Sequence, residues 1–194
     1  MATVIPSPAT LSDLYFVEGK AELIAGRIVQ TMPSGDAPSR VALEIAISLR
    51  QYAKTTGTGV AYANGVGFAL SPPLISGRES FSPDASFHTG PLPRNKMRFV
   101  EGAPAFAVEV RSEGDYGPSA EVMLAEKRAD YFEAGTVVVW DVDPLAQTVA
   151  VFRATSPENE DLYHLDEIAD AEPAVPGWRM AVSEIFGAAP RIGL

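Results

Sequence analysis

Apolar positions along the chain recur with two different periods, and each change of period marks an element. Thr10–Val17 is expected as a first helix, with Thr10 or Ser12 placed to cap it. Two short apolar stretches, Ala21–Ile24 and Arg27–Met32, flank Ala25-Gly26 and predict a β-hairpin. Pro33–Asp36 reads as a loop, and Pro38 suits the first turn of a helix. Val41, Ile45, Leu49 and Tyr52 then form a helical stripe that ends near Gly57. Val60–Leu70 is expected as strand, interrupted by Gly65 and Gly67. A Pro/Gly-rich connector (Ser71–Gly77) and a short strand over Ser82–His88 follow.

Pro104–Ser112 alternates with period two. Phe106, Val108 and Val110 fall on one face, and Ala105, Ala107, Glu109 and Arg111 on the other. Pro118–Ala134 reads as a helix stopped by Gly135, Val137–Val142 as a buried strand, Asp143-Pro144 as a turn and Thr148–Arg153 as a returning strand. Two strands around a helix of about 17 residues make the pattern of a crossover unit, so the fold class is α/β in the broad, α+β sense. Pro173–Trp178 is expected to be extended, with a short helix over Ser183–Phe186.

The chain has 194 residues, the size of one domain, expected over 1–194 with a core at about 10–187. With 46% hydrophobic residues it can bury a sizeable core. No apolar run approaches the roughly 18 residues of a membrane span, and MATVIPSPATLSD lacks the basic-then-apolar order of a secretory signal. Cysteine is absent, which excludes disulfides and thiolate metal sites and fits a cytoplasmic protein. The net charge of −10 argues against a protein that coats nucleic acid over a broad face. The most basic stretch, Arg94, Lys96 and Arg98, reads as either a solvated loop or a local positive rim.

Four residues carry candidate chemistry: Asp84 after Pro83 at the start of a strand, Glu109 on the face away from Phe106, Val108 and Val110, Lys127 in the next helix, and Glu22 in the hairpin. Mg²⁺ prefers hard oxygen ligands, usually one or two carboxylates completed by water, carbonyl and phosphate oxygens. Such an ion lowers the pKa of bound water and neutralises charge developing on a phosphate. A nearby lysine orients that water or stabilises the same charge. Each residue has a plainer alternative. Glu109 pairs with Arg111 or sits at an edge, Asp84 caps a turn, Glu22 is solvated, and Lys127, which shares a stripe with Leu124 and Tyr131, lies along the surface. His88 and His164 are isolated, and Trp140 and Trp178 read as packing residues.

The blocks ELIAGRIVQTMP, SPDASF, GAPAFAVEVRSEGD, EKRADYFEAGTVVVWDVDP and a C-terminal PGW occur in the order seen in the Uma2 family, which the chain resembles over roughly residues 10 to 187. By resemblance that family falls within the PD-(D/E)xK nuclease superfamily. The resemblance implies a restriction-endonuclease-like fold, a mixed central sheet flanked by helices. It also implies a Mg²⁺ (or Mn²⁺) site held by Asp84 and Glu109, with Lys127 catalytic and Glu22 a further acidic contributor. DNA is the implied substrate and a homodimer the implied assembly. Two departures stand out: no histidine precedes His88, with Arg40 a possible replacement, and Arg111 occupies the position of the parent motif's lysine. Arginine holds its proton and suits a phosphate contact better than a base. Arg111, Arg94, Lys96, Arg98 and Arg40 are therefore the expected substrate contacts. The alternative is a catalytically inactive relative that keeps the fold as a binding module. No P-loop, G-x-G-x-x-G or G-x-S-x-G motif supports a different chemistry.

Overall fold

The computed structural model describes residues 8–187. The ends of the expected 1–194 domain, and the first residues of the stretch read for a secretory signal, lie outside them. The elements run α1 (Leu11–Leu14), β1 (Ala21–Ile24), β2 (Arg27–Gln30), α2 (Asp36–Thr56), β3 (Val60–Ala63), β4 (Phe68–Ala69), β5 (Ser80–Phe81), β6 (Ala85–His88), β7 (Val100–Glu101), β8 (Phe106–Val110), α3 (Pro118–Glu133), β9 (Val138–Asp143), β10 (Thr148–Arg153), β11 (Ser156–Tyr163), β12 (Ile168–Asp170), β13 (Arg179–Ala181) and α4 (Val182–Phe186).

Six strands form a mixed sheet in the order β11-β10-β9-β8-β6-β3. β8 and β9 are its parallel pair, joined by α3, so the expected crossover unit is present. α2 packs on one face, where Val41, Ile45 and Leu49 meet Phe87, Phe106, Val108 and Trp140. Its C-terminus closes on Gly57 in the left-handed conformation, which glycine adopts without a Cβ penalty. The opposite face carries Ala107 and Val139, covered by Tyr131 from α3. The alternation along β8 therefore holds: Phe106, Val108 and Val110 enter the α2-side core, and Glu109 emerges on the α3 side.

Several boundaries differ from expectation for identifiable reasons. Val60–Leu70 divides into β3 and β4, which belong to different sheets. Gly65 turns the chain at φ 102°, and a Cβ on Gly67 would meet the Phe99 ring at 2.7 Å. The expected strand Ser82–His88 shortens to Ala85–His88; Pro83 has no amide to donate, and Asp84 lies between β5 and β6. The first helix shortens to Leu11–Leu14. β11 has no alternating pattern because none of its residues is fully buried; its acidic SPENEDLY sequence occupies the sheet edge, where charge discourages further pairing. The tail expected to be extended contains turns before β13. No helix among the described residues is long and apolar enough to cross a membrane.

Trp178 closes the α2 side of the core. Its ring lies 5.1 Å from Trp140 and 5.6 Å from Phe106, and its indole donates to Ser48 Oγ at 3.1 Å. Trp178→Ala is expected to cost about 3–5 kcal/mol of stability, measured by urea unfolding; a loss below about 1 kcal/mol would contradict this packing role.

Candidate active site

The hairpin supplies the first component. β1 docks on the segment before β5 through Glu79 N–H to Leu23 O (2.8 Å), Ala25 N–H to Gly77 O (2.7 Å) and Leu23 N–H to Ser80 Oγ (2.8 Å). Alternation along the strand then sends Leu23 into the core and Glu22 to the other side, where Lys20, just before β1, also points. Glu22 is 6% exposed. One of its oxygens takes the Ser82 amide at 2.9 Å and Lys127 Nζ at 3.3 Å, and the other pairs with Arg78. Arg78 continues to Asp130 through Nε at 2.7 Å.

α3 supplies the second. Lys127, Asp130 and Tyr131 share one helical face at offsets of three and four. Lys127 Nζ lies 2.9 Å from Glu109 Oε2, and the Tyr131 hydroxyl donates to Glu109 Oε1 at 2.6 Å. Lys127 therefore points into the cleft that holds Glu109. Asp84, from the rim, accepts the Val110 amide at Oδ2 (2.9 Å) and Lys20 Nζ at Oδ1 (2.7 Å). This fixes Asp84 beside the end of β8 that bears Glu109. The structure thus brings together Glu22, Asp84, Glu109 and Lys127.

An alternating line of charge results: Asp130, Arg78, Glu22, Lys127, Glu109, with Asp84 and Lys20 alongside. Four carboxylates face three cations, leaving one unmatched negative charge. Burial opposes ionisation of Glu22, but Lys127, Arg78 and the Ser82 amide outweigh it and lower its pKa. Glu109 moves the other way: burial raises its pKa, Lys127 only partly opposes this, and the nearby Asp84 charge adds to it. Burial also disfavours the Lys127 ammonium, yet Glu109 and Glu22 hold its pKa above the ordinary lysine value. Lys127 is accordingly a protonated donor here, not a base.

Among the described residues no group of three or more His, Cys, Asp or Glu side chains is arranged to hold a metal. Asp84 and Glu109 would offer Mg²⁺ two hard-oxygen donors, a number it commonly takes from protein before water and phosphate complete its shell. Each of their oxygens also has a protein partner, Val110 N–H and Lys20 on Asp84, Tyr131 and Lys127 on Glu109. Glu22 has both oxygens engaged by Arg78, Lys127 and Ser82, so it reaches the site through Lys127.

The expected substrate contacts are dispersed. Arg111 is held by Asp141 (2.8 and 2.9 Å) and Glu121, and Arg128 joins Asp141 at 3.2 Å. Arg40 pairs with Asp36 within α2 at 3.2 Å. Arg94, Lys96 and Arg98 are exposed on the loop that leaves β6 at His88, the end away from Asp84, and Arg98 stacks over Tyr15 at 4.2 Å. Lys20, Arg78, Asp130, Tyr131 and Asp141 were not expected at the site. Lys20 precedes Glu22 by two at the entry to β1, and Asp130 and Tyr131 follow Lys127 by three and four, so spacing could have flagged these three. Arg78 and Asp141 arrive by tertiary contact and leave no local signal.

The profile of the Uma2 family, described as "Putative restriction endonuclease", matches residues 10–183. A crystal structure described as "a putative nuclease belonging to DUF820 from Anabaena variabilis ATCC 29413" superposes with a TM-score of 0.71 at 19% identity. The match covers 92% of this chain and 98% of that one, and it shows the fold. No curated protein matches the chain.

Glu22 is buried between two cations, so Glu22→Ala is expected to cost about 3–5 kcal/mol. The sign with pH follows from its lowered pKa: the stabilisation is present above the ordinary carboxylate pKa and is lost as pH falls through the lower, folded value. Glu22→Gln should therefore flatten the acid side of the stability profile measured by denaturant titration. An unchanged acid slope would contradict the assignment.

Proposed function

Since the chain belongs to the Uma2 family, we propose that it is a metal-dependent endonuclease that hydrolyses DNA phosphodiesters at the rim shared by Asp84 and Glu109. The observation that supports this reading is that Asp84 accepts the amide of Val110, the residue after Glu109, at 2.9 Å, while the Lys127 ammonium lies 2.9 Å from Glu109. Asp84 and Glu109 would hold Mg²⁺ or Mn²⁺, which when bound supplies an activated water and neutralises charge on the phosphate.

The chain's own groups then have separable tasks. The Val110 amide fixes one Asp84 oxygen, and Lys20 holds the other. Tyr131, whose hydroxyl is held protonated by burial and by Glu109, orients the Glu109 carboxylate. Lys127, kept cationic by Glu109 and Glu22, donates to the attacking water or to a phosphate oxygen. Arg111 is engaged by two carboxylates and, in this reading, orders the α3 approach to the site. Arg94 and Lys96 would supply backbone contacts to the duplex, and a homodimer would present two such sites to its two strands.

Cleavage of labelled duplex with Mg²⁺ or Mn²⁺ tests the reading. Asp84→Asn, Glu109→Gln and Lys127→Ala are each expected to lower the rate at least about a hundredfold, with folding verified by circular dichroism. Full activity in the Asp84→Asn, Glu109→Gln double variant would exclude this site. Absence of cleavage by the wild-type chain on duplex and single strands would favour a binding module, which the full engagement of every Glu22, Asp84 and Glu109 oxygen by protein donors also fits.

A further inference from the structure

The two lysines at the site are held differently. Lys127 lies on the 16-residue helix α3, braced between Glu22 and Glu109. Lys20 has Asp84 as its single ion-pair partner among the described residues, at 2.7 Å with 20% side-chain exposure. Its backbone is anchored, since Lys20 O accepts the Thr31 amide at 3.0 Å. The four-carbon side chain is thus a tether of fixed origin with a movable head. The oxygen it occupies, Asp84 Oδ1, is the one that the Val110 amide leaves free.

We propose that the Lys20 ammonium competes with the divalent ion for Asp84 Oδ1, the oxygen it pairs with at 2.7 Å, and is displaced when the ion binds. The inference rests on the metal-site reading above. Charge supports it. With Lys20 paired, the cluster carries one unmatched negative charge; with its head withdrawn, two unmatched charges face a doubly charged ion. Like charges within a few ångströms repel, so ammonium and metal do not share the same carboxylate oxygen at low cost. The released head stays within a side-chain length of Asp84, where a phosphate bound to the ion would be its next anionic partner. Lys20 is therefore a positioning residue: it acts through Asp84, neutralising its Oδ1 and yielding that oxygen to the ion. No bond is made or broken in the exchange.

Mn²⁺ binding to the full-length protein, followed by the free-ion signal in electron paramagnetic resonance, tests this without any catalytic step. Lys20→Met is expected to tighten Mn²⁺ binding about tenfold, Lys20→Arg to leave it near the wild-type value, and Asp84→Asn to abolish it. Lys54→Met, which removes the same charge from the exposed end of α2, controls for the general effect of net charge and is expected to change little. Thermal unfolding verifies that each variant folds. If wild type binds Mn²⁺ and Lys20→Met binds it equally or more weakly, or if Lys54→Met tightens binding as much, the competitor role is overturned while the metal site stands. If neither wild type nor Lys20→Met binds Mn²⁺, the metal-site reading fails and the inference with it.

Discussion

The burial of Glu22 between Arg78 and Lys127 is the constraint on which the rest of the site depends. A carboxylate out of water is costly unless cations and hydrogen bonds replace its hydration. Here the replacements reach Glu22 on β1 from two places: the segments flanking β5 give Arg78 and the Ser82 amide, and α3 gives Lys127. The hairpin, the small sheet and the crossover helix are thereby held together by one side chain. Lys127 is then oriented toward Glu109, and the pKa order within the cleft follows from the same arrangement.

The sheet adds what the charge line cannot. Parallel pairing of β8 and β9 sets Glu109 opposite Asp141, so both project on the α3 side. Arg111 and Arg128 neutralise Asp141, while Lys127 and Tyr131 engage Glu109. Two carboxylates on neighbouring strands are thus given different surroundings. Asp141 is fully countered by guanidinium groups. Glu109 keeps a raised pKa and a neighbour, Asp84, of the same sign. This asymmetry, more than the number of acids present, is what the proposed cation site at Asp84 and Glu109 rests on.

Much of this was legible in the sequence where a local period carries the information. The alternation in β8 placed Glu109 away from the α2-side core. The stripe Val41, Ile45, Leu49 gave α2, and the strand–helix–strand pattern gave the parallel pair. Legibility ended where contacts join distant segments. Arg78 sits in a connector with no periodicity, yet it meets residues 56 and 52 positions away. β11 lacks a buried face and so lacks a pattern. Arg111 looked available for phosphate because its partners, Asp141 and Glu121, lie 30 and 10 residues along the chain.

In the proposed reading, the cluster directs a divalent cation to the space between Asp84 and Glu109 and to no other acidic group. Anomalous diffraction from a crystal grown with Mn²⁺ locates the ion directly. One strong peak is expected, bonded at about 2.1–2.2 Å to an oxygen of each carboxylate, with Lys127 still in contact with Glu22. A peak at Asp141 or Glu22 instead, or none at a Mn²⁺ concentration that saturates binding in solution, would contradict it.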